Sequence, residues 1–491
     1  MKYLTIKELS EMWNVSERMI RYYCSTGKID GCIRSGKSWL IPENSKKPTK
    51  ENQNIDESYI KIGEEFIEFV RKSPVSFQTI DTIKKMLIEN EYLFLSENSK
   101  EKLQKGSKYV IVRDDSTLVS INIGNNIEKE ISSLNIIASH CDSPYFKIKP
   151  NCDGVSDGYN KINIAPYGGL IAPSWLDRPL AVAGRVIVKE NDKLIAKLVN
   201  FEDLNAIIPN LCIHYNRNIN SGYEYNMAVD MQAFFSDKDS SKFSDLLAKK
   251  LKTRKENIIN HDLYLYNNEK GILWGNNKEY ISCPRLDDLE CVFSSAKAFI
   301  SGENDKTINI LYISDNEEVG SLSKNGADSD FLEVCLRRLC NDLGLDLDKT
   351  LSQSFLISAD NGHAVHPNKG QITDADNKMY MNKGVGIKSN SSLTYTSSGL
   401  SSSVFQMLCE KANTPYQFFT NRSDMRGGST LGNILLSHLS LSAVDVGLPQ
   451  LAMHSCYETA GTKDLKYAID VFREFYTSRI KFNLNEVIIE K

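Results

Sequence analysis

What the sequence lacks narrows its class first. No apolar run approaches the ~20 residues of a membrane-spanning helix, so no membrane partner is expected. Basic residues are in no surplus: 59 Lys and Arg stand against 63 Asp and Glu, a net charge of −4. That balance argues against nucleic-acid binding along the whole chain. The eleven cysteines never fall into a Cys-x-x-Cys spacing, and an odd, unpatterned set reads as reduced thiols. The stretch Met1-Lys-Tyr-Leu-Thr-Ile-Lys-Glu8 turns polar too early for a secretory signal. A cytoplasmic protein is the expectation. What is present is an ordinary globular composition, 41% apolar and 25% charged over 491 residues. That is enough chain for roughly two to four domains around a large core.

Residues 1–44 read as a separate module, followed by a Lys- and Asn-rich linker over 45–56. Thr5-Ile-Lys-Glu8 has capping-box spacing, and Leu9 and Met12 share a face of the helix it starts. Asn14-Val-Ser16 breaks that helix, Ser16 can cap a second one running to Cys24, and Gly27 suits its stop. Alternation around Ser35-Gly36 predicts a small hairpin. Helix, turn, helix and wing is the plan of a winged helix-turn-helix DNA reader. Arg18 and Arg21 on the second helix, with Arg34 and Lys37 on the wing, are its candidate phosphate contacts. Residues 1–51 carry ten Lys and Arg against six Asp and Glu, reversing the sign of the whole chain. The module resembles the MerR- and excisionase-type helix-turn-helix domains through Thr5-Ile-Lys-Glu-Leu9, Val15-Ser-Glu-Arg18 and Gly36-Lys-Ser-Trp-Leu-Ile-Pro42. DNA is the partner this implies; a module for protein contact or oligomerisation is the other reading.

From residue 57 the pattern is α/β. Helical spacing over 59–70 and 79–90 is followed by strand-like runs at 108–113, 117–123 and 134–138. The last of these ends in Ser139-His-Cys-Asp-Ser-Pro144. Positions i and i+2 of an extended chain share a face, so Asp142 can hold the second nitrogen of His140, as carboxylates do for metal-bound imidazoles. Residues 150–280 read as an all-β insertion. Further on come Cys283-Pro-Arg-Leu-Asp-Asp288 before a helix, and the run 307–313 ending in Ser314-Asp-Asn-Glu-Glu-Val-Gly-Ser321. Ser358-Ala-Asp360 closes another strand, Arg426-Gly-Gly-Ser-Thr430 forms a glycine loop, and Asp445 to His454 is a last strand-like run. Adjacent side chains leave an extended chain on opposite sides, so Glu317 and Glu318 are expected to take different roles.

The inventory is His140, His454, Asp287, Asp360 and Glu318. The carboxyl ends of strands in an α/β sheet converge on one crevice. Two histidines and three carboxylates suit two zinc ions with one carboxylate bridging.

Residues 57–491 resemble the M18 family of zinc metallopeptidases, the aspartyl aminopeptidases. The resemblance is carried by Ala138-Ser-His-Cys-Asp-Ser-Pro144, Pro284-Arg-Leu-Asp-Asp288, Asp315 to Ser321, Ser358 to Asn368, and Asp445 to His454. It implies an α/β/α zinc-peptidase sandwich (57–149 and 281–491) with a β-rich dimerisation insertion (150–280). It implies two Zn2+ per subunit, with Mn2+ or Co2+ as alternatives. His140 and Asp360 would bind one ion, Glu318 and His454 the other, Asp287 both, with Glu317 as general base. Peptides would be the substrates, bound by His363, Lys388 and Tyr395, and Lys388 would favour an N-terminal Asp or Glu. His214 would reach a neighbouring subunit's site in a dimer-based homo-oligomer, a dodecamer by family habit. Two departures stand out: Cys141, where many members have Thr, is a candidate oxidation-sensitive thiol, and Asp288 stands where Asn is common. The competing reading is a DNA-binding regulator with a peptidase-derived sensor domain.

Overall fold

Apolar residues alternate between the two faces of the central strands, and that alternation sets the layers. In the strand Leu134–His140, Ile136 and Ala138 join one core and Ile137 the other; in Ile308–Ser314, Ile310 and Tyr312 divide from Leu311 and Ile313 in the same way. Both faces of the sheet must therefore be covered. The computed structural model describes residues 3–25, 29, 31–36, 38–45, 47, 57–128, 132–425, 427–484 and 486–491. It divides into two compact units, residues 1–58 and 59–491.

The larger unit is an α/β/α sandwich. Its nine-stranded sheet runs in the order Tyr416–Phe419, Val385–Lys388, Ser442–Gly447, Phe355–Ala359, Leu134–His140, Ile308–Ser314, Thr117–Ile123, Lys108–Arg113 and Leu93–Leu95. The four strands from Ser442–Gly447 to Ile308–Ser314 are mutually parallel, so their carboxyl ends leave the sheet on one edge. On one face pack the helices Glu57–Lys72, Leu286–Ser301, Gly399–Lys411 and Thr462–Thr477; on the other, Phe331–Leu343 and Leu431–His438. A second sheet of six strands spans Tyr145–Ser156 to Ile258–Asn267 and has its own apolar core. This stretch is not all-β: Phe243 and Leu247 give the segment a buried helical stripe, and it forms the helix Phe243–Lys250. A third, five-stranded sheet joins Ile272–Trp274, Tyr280–Cys283, Glu458–Gly461, Pro449–Leu451 and Gly362–His363. Among the described residues no helix is long and apolar enough to cross a membrane.

The small unit has the winged helix-turn-helix plan. Thr5 and Glu8 close a capping box on the helix Ile6–Trp13, and Asn14 ends it in the left-handed region at φ 50°. The helix Glu17–Ser25 and the antiparallel strands Ile33–Ser35 and Ser38–Pro42 follow. The buried stripe of the first helix is Ile6, Leu9 and Trp13, so Met12 lies off the face expected from spacing and is exposed. Arg18, Arg21 and Arg34 are exposed, and Arg21 pairs with Glu17 at 3.1 Å. Lys37, Gly27, Arg426 and most of the 45–56 stretch lie outside the described residues.

Candidate metal centre

Four parallel strands bring most of the expected residues to one place. His140 ends its strand in register with Ser314, and the chain beyond Ser314 reaches Glu317 and Glu318. Phe355–Ala359 leads directly into Asp360. Ser442–Gly447 continues through Pro449–Leu451 to His454, whose φ of 67° turns it back toward the sheet edge. Asp287 comes from the third sheet: Arg285 takes a φ of 60° after Tyr280–Cys283, and Asp287 keeps extended angles at the head of its helix.

These residues form two groups with a common member. Ligand atoms of His140, Asp287 and Asp360 lie within 4.8 Å of one another, as do those of Asp287, Glu318 and His454. His140 Nε2 is 3.4 Å from Asp287 Oδ1, while His454 Nε2 is 3.6 Å from Asp287 Oδ2 and 3.4 Å from Glu318 Oε2. In both histidines the other nitrogen is occupied: His140 Nδ1 sits 3.2 Å from the Asp142 carbonyl, and His454 Nδ1 sits 3.1 Å from the Gly169 carbonyl. An Nδ1–H that donates to a carbonyl leaves the Nε2 lone pair facing the carboxylates, the tautomer a cation needs.

The electrostatics also call for positive charge. Asp287 Oδ1 and Glu318 Oε1 are buried without a hydrogen-bond partner, a costly arrangement for carboxylate oxygens unless a cation takes their lone pairs. Burial, reinforced by the Asp287 charge, pushes Glu318 well above the carboxylate range. Burial raises Asp360 too, although Lys388 opposes it. His454 is lifted to about 10: burial would lower it, but the nearby Asp287 and Glu318 carboxylates outweigh that. Two imidazoles and three carboxylates are the donor set of divalent zinc-type ions, and the residues present fit such ions.

The two adjacent glutamates separate for a reason other than a strand pleat. Asn316 adopts φ 62° and residues Glu317–Val319 make a single 3-10 turn, because the strand has already ended at Ser314. Three residues complete such a turn, so neighbours diverge by about a third of a circle. Glu318 joins the metal group, whereas Glu317 lines the adjoining cavity. Asp142 fixes both: its Oδ1 accepts the Glu317 N–H at 3.1 Å and its Oδ2 the Glu318 N–H at 3.2 Å. Tyr167 donates to the same carboxylate at 2.8 Å. The expected Asp142–His140 contact runs mainly through the Asp142 backbone carbonyl, with its carboxylate at 3.4 Å. Glu317 is raised to about 7, chiefly by burial.

The cavity beside the groups has a volume of about 230 Å3, and Glu317, His363, Lys388 and Tyr395 all line it. Lys388 is buried; its Nζ donates to the Asn361 carbonyl at 2.8 Å and is 3.7 Å from Asp360. His214 is exposed on the six-stranded sheet's long loop and does not line this cavity within the one chain. A larger hollow of about 510 Å3, between Tyr159, Tyr225 and Phe234, holds no such ligand group. Cys141 is not a reactive thiol: it is fully buried, donates to the Ser116 and Ser314 carbonyls, and burial pushes its pKa well up. Sequence reasoning missed Tyr167, Gly169 and Glu458, which reach the site from other sheets and carry no local signal.

Comparison with known proteins follows the same division. The family model for aminopeptidase I zinc metalloprotease (M18) matches residues 69–476, and a helix-turn-helix domain model matches residues 3–45. A probable M18 family aminopeptidase 2 of Clostridium novyi is 45% identical over 428 residues, covering 85% of this chain and 99% of that one. Among solved structures, Ape4 in its complex with Nbr1 superposes with a TM-score of 0.82 at 30% identity, over 86% of each chain. The S. cerevisiae mApe1 dodecamer matches with a TM-score of 0.75 at 25% identity, over 85% of this chain and 97% of that chain.

Proposed function

The chain belongs to the M18 family of zinc metalloproteases and is a metal-dependent aminopeptidase; from that premise we propose that it works with two zinc ions and prefers peptides beginning with Asp or Glu. The observation that carries the two-ion reading is the pair of ligand groups sharing Asp287, with two buried carboxylate oxygens left without partners. His140 and Asp360 would hold one ion, Glu318 and His454 the other, and Asp287 both. Zinc-type ions in such a site polarise a carbonyl and acidify a water.

The remaining chemistry is the protein's. Glu317 takes the proton of the attacking water and returns it to the leaving amine, and a carboxyl raised to about 7 suits both halves of that exchange. Asp142, by gripping the Glu317 backbone, fixes where that proton is taken up. Lys388 presents a buried ammonium to the substrate cavity, where it pairs with the side-chain carboxylate of the substrate's first residue. His363 and Tyr395 flank the same cavity and position the substrate. His214 completes the site of a neighbouring subunit in a dimer-based homo-oligomer; its exposed position in one chain and the likeness to a dodecameric relative support this. The 1–44 module binds DNA through Arg18, Arg21, Arg34 and Lys37, supported by the exposure of the three arginines and the helix-turn-helix match. A complete ligand set beside a base favours an enzyme over a peptide sensor, which has no need of Glu317.

The test is hydrolysis of Asp-, Glu- and Leu-p-nitroanilides with and without chelator, on protein whose zinc content is measured. Chelator-sensitive release, fastest for the acidic substrates, with two zinc per chain is the expected result. One ion per chain, or no acidic preference, would refute the corresponding part.

A further inference from the structure

Asp288 and Glu458 are buried carboxylates that lie beside the ligand groups and belong to neither. They are 0% and 1% exposed, yet neither pairs with a basic side chain among the described residues within salt-bridge distance. Each spends its two oxygens on backbone N–H groups. Asp288 Oδ2 accepts from His140 N at 3.3 Å and Oδ1 from Asn361 N at 3.2 Å. Glu458 Oε1 accepts from His454 N at 2.8 Å and Oε2 from Asp287 N at 3.2 Å.

The pairing follows the two groups. Asp288 joins the loop of His140 to the residue after Asp360, two members of the first group. Glu458 joins the loops of Asp287 and His454, two members of the second. The two clasps are also wired together. The Asn361 side chain donates to Gln450 Oε1 at 2.8 Å, and Gln450 Nε2 lies 3.4 Å from Glu458 Oε1. Ligand loops far apart in sequence and rich in negative charge repel one another before an ion arrives, so something must hold them in place. At Glu458 both oxygens accept, and an amide of the same shape would put an NH2 against one of the two N–H donors.

Resting on the two-ion reading above, we propose that Glu458 is a positioning residue: it aligns Asp287 with His454 and so acts most on the ion of the Asp287–Glu318–His454 group. The test titrates zinc into apo protein against a chromophoric chelator, resolving two dissociation constants for the wild type and E458Q. H454A and D360A, each of which removes one group, identify which constant belongs to which. The thermal midpoint of each apo protein is recorded alongside. E458Q should weaken the ion of the Asp287–Glu318–His454 group about 10- to 100-fold and the other ion, which shares only Asp287 with this clasp, by less. Apo midpoints should stay close to wild type. Unchanged constants in E458Q would overturn the inference. So would equal weakening of both ions together with a lowered apo midpoint, since the carboxylate would then merely hold the fold. A wild type that binds only one ion would overturn the two-ion reading and this inference with it.

Discussion

Replacing Glu317 with Gln tests the division of labour between the two adjacent glutamates. Gln has the same shape, and the backbone N–H that Asp142 grips at 3.1 Å is untouched, so the turn at 317–319 stays in place. Glu317 belongs to neither ligand group, so zinc should remain bound. What is lost is a proton acceptor raised to about 7 by burial. General-base catalysis contributes about 10²- to 10⁴-fold. At about 1.36 kcal/mol per tenfold, that is about 2.7–5.4 kcal/mol of barrier. The assay is kcat on Asp-p-nitroanilide at saturating substrate, with metal content measured on the same sample. A kcat within about threefold of wild type would refute the role of base. A rate lost only in parallel with zinc would show that Glu317 is a ligand.

Four further outcomes are expected. Glu318→Gln should cost zinc first, lowering occupancy below two per chain while the remaining ion stays bound, as read by chelator competition. Metal loading should release protons. His454 at about 10 must surrender its proton to bind an ion, so apparent affinity should keep rising with pH above ~6.5, where a free imidazole would level off. A dissociation constant that does not change between about pH 7 and 9 would contradict this. Lys388→Met should lower the Asp-to-Leu ratio of kcat/KM about 10- to 100-fold, the worth of a charge-assisted hydrogen bond of about 1.5–3 kcal/mol; an unchanged ratio would remove Lys388 from specificity. Reversing charge at Arg18 and Arg21 should weaken retention on DNA and flatten its salt dependence by about one unit of slope for each phosphate no longer neutralised. Equal retention would dismiss DNA binding through that helix.

Much of the sandwich was legible because its strands are buried on both faces and read as unbroken apolar runs. The runs 108–113 and 117–123 coincide with the strands Lys108–Arg113 and Thr117–Ile123. The converging residues were legible for the same reason: His140 and Asp360 stand at the ends of such runs. Local geometry was harder. Asn tolerates the left-handed region better than most residues, but the spacing of Asp315-Asn-Glu-Glu does not say that Asn316 adopts it and turns a pleat into a 3-10 turn. In the first helix, spacing could not choose between Met12 and Trp13, since both lie near the Leu9 face; the larger indole took the core. Contacts between distant segments left no trace in spacing. Glu458 meets the Asp287 backbone 171 residues away, and Tyr167 meets Asp142 from another sheet.

The strand Tyr159–Tyr167 belongs to the six-stranded sheet, yet its last residue and the two glycines after it lean on the metal groups. Tyr167 donates to Asp142, the Gly169 carbonyl takes the Nδ1–H of His454, and a Cβ at Gly168, whose φ is 74°, would come within 3.1 Å of the Glu318 Cβ. The inserted domain is therefore not an interchangeable cassette. A chimera that grafts in a foreign insertion at its outer boundaries would import that strand end as well. The recipient would keep all five of its ligands, but the Tyr167 contact to Asp142 and the room for Glu318 at Gly168 would then depend on the imported strand end. Successful grafts would need their junctions beyond Gly169, with Tyr167-Gly-Gly169 left in the host.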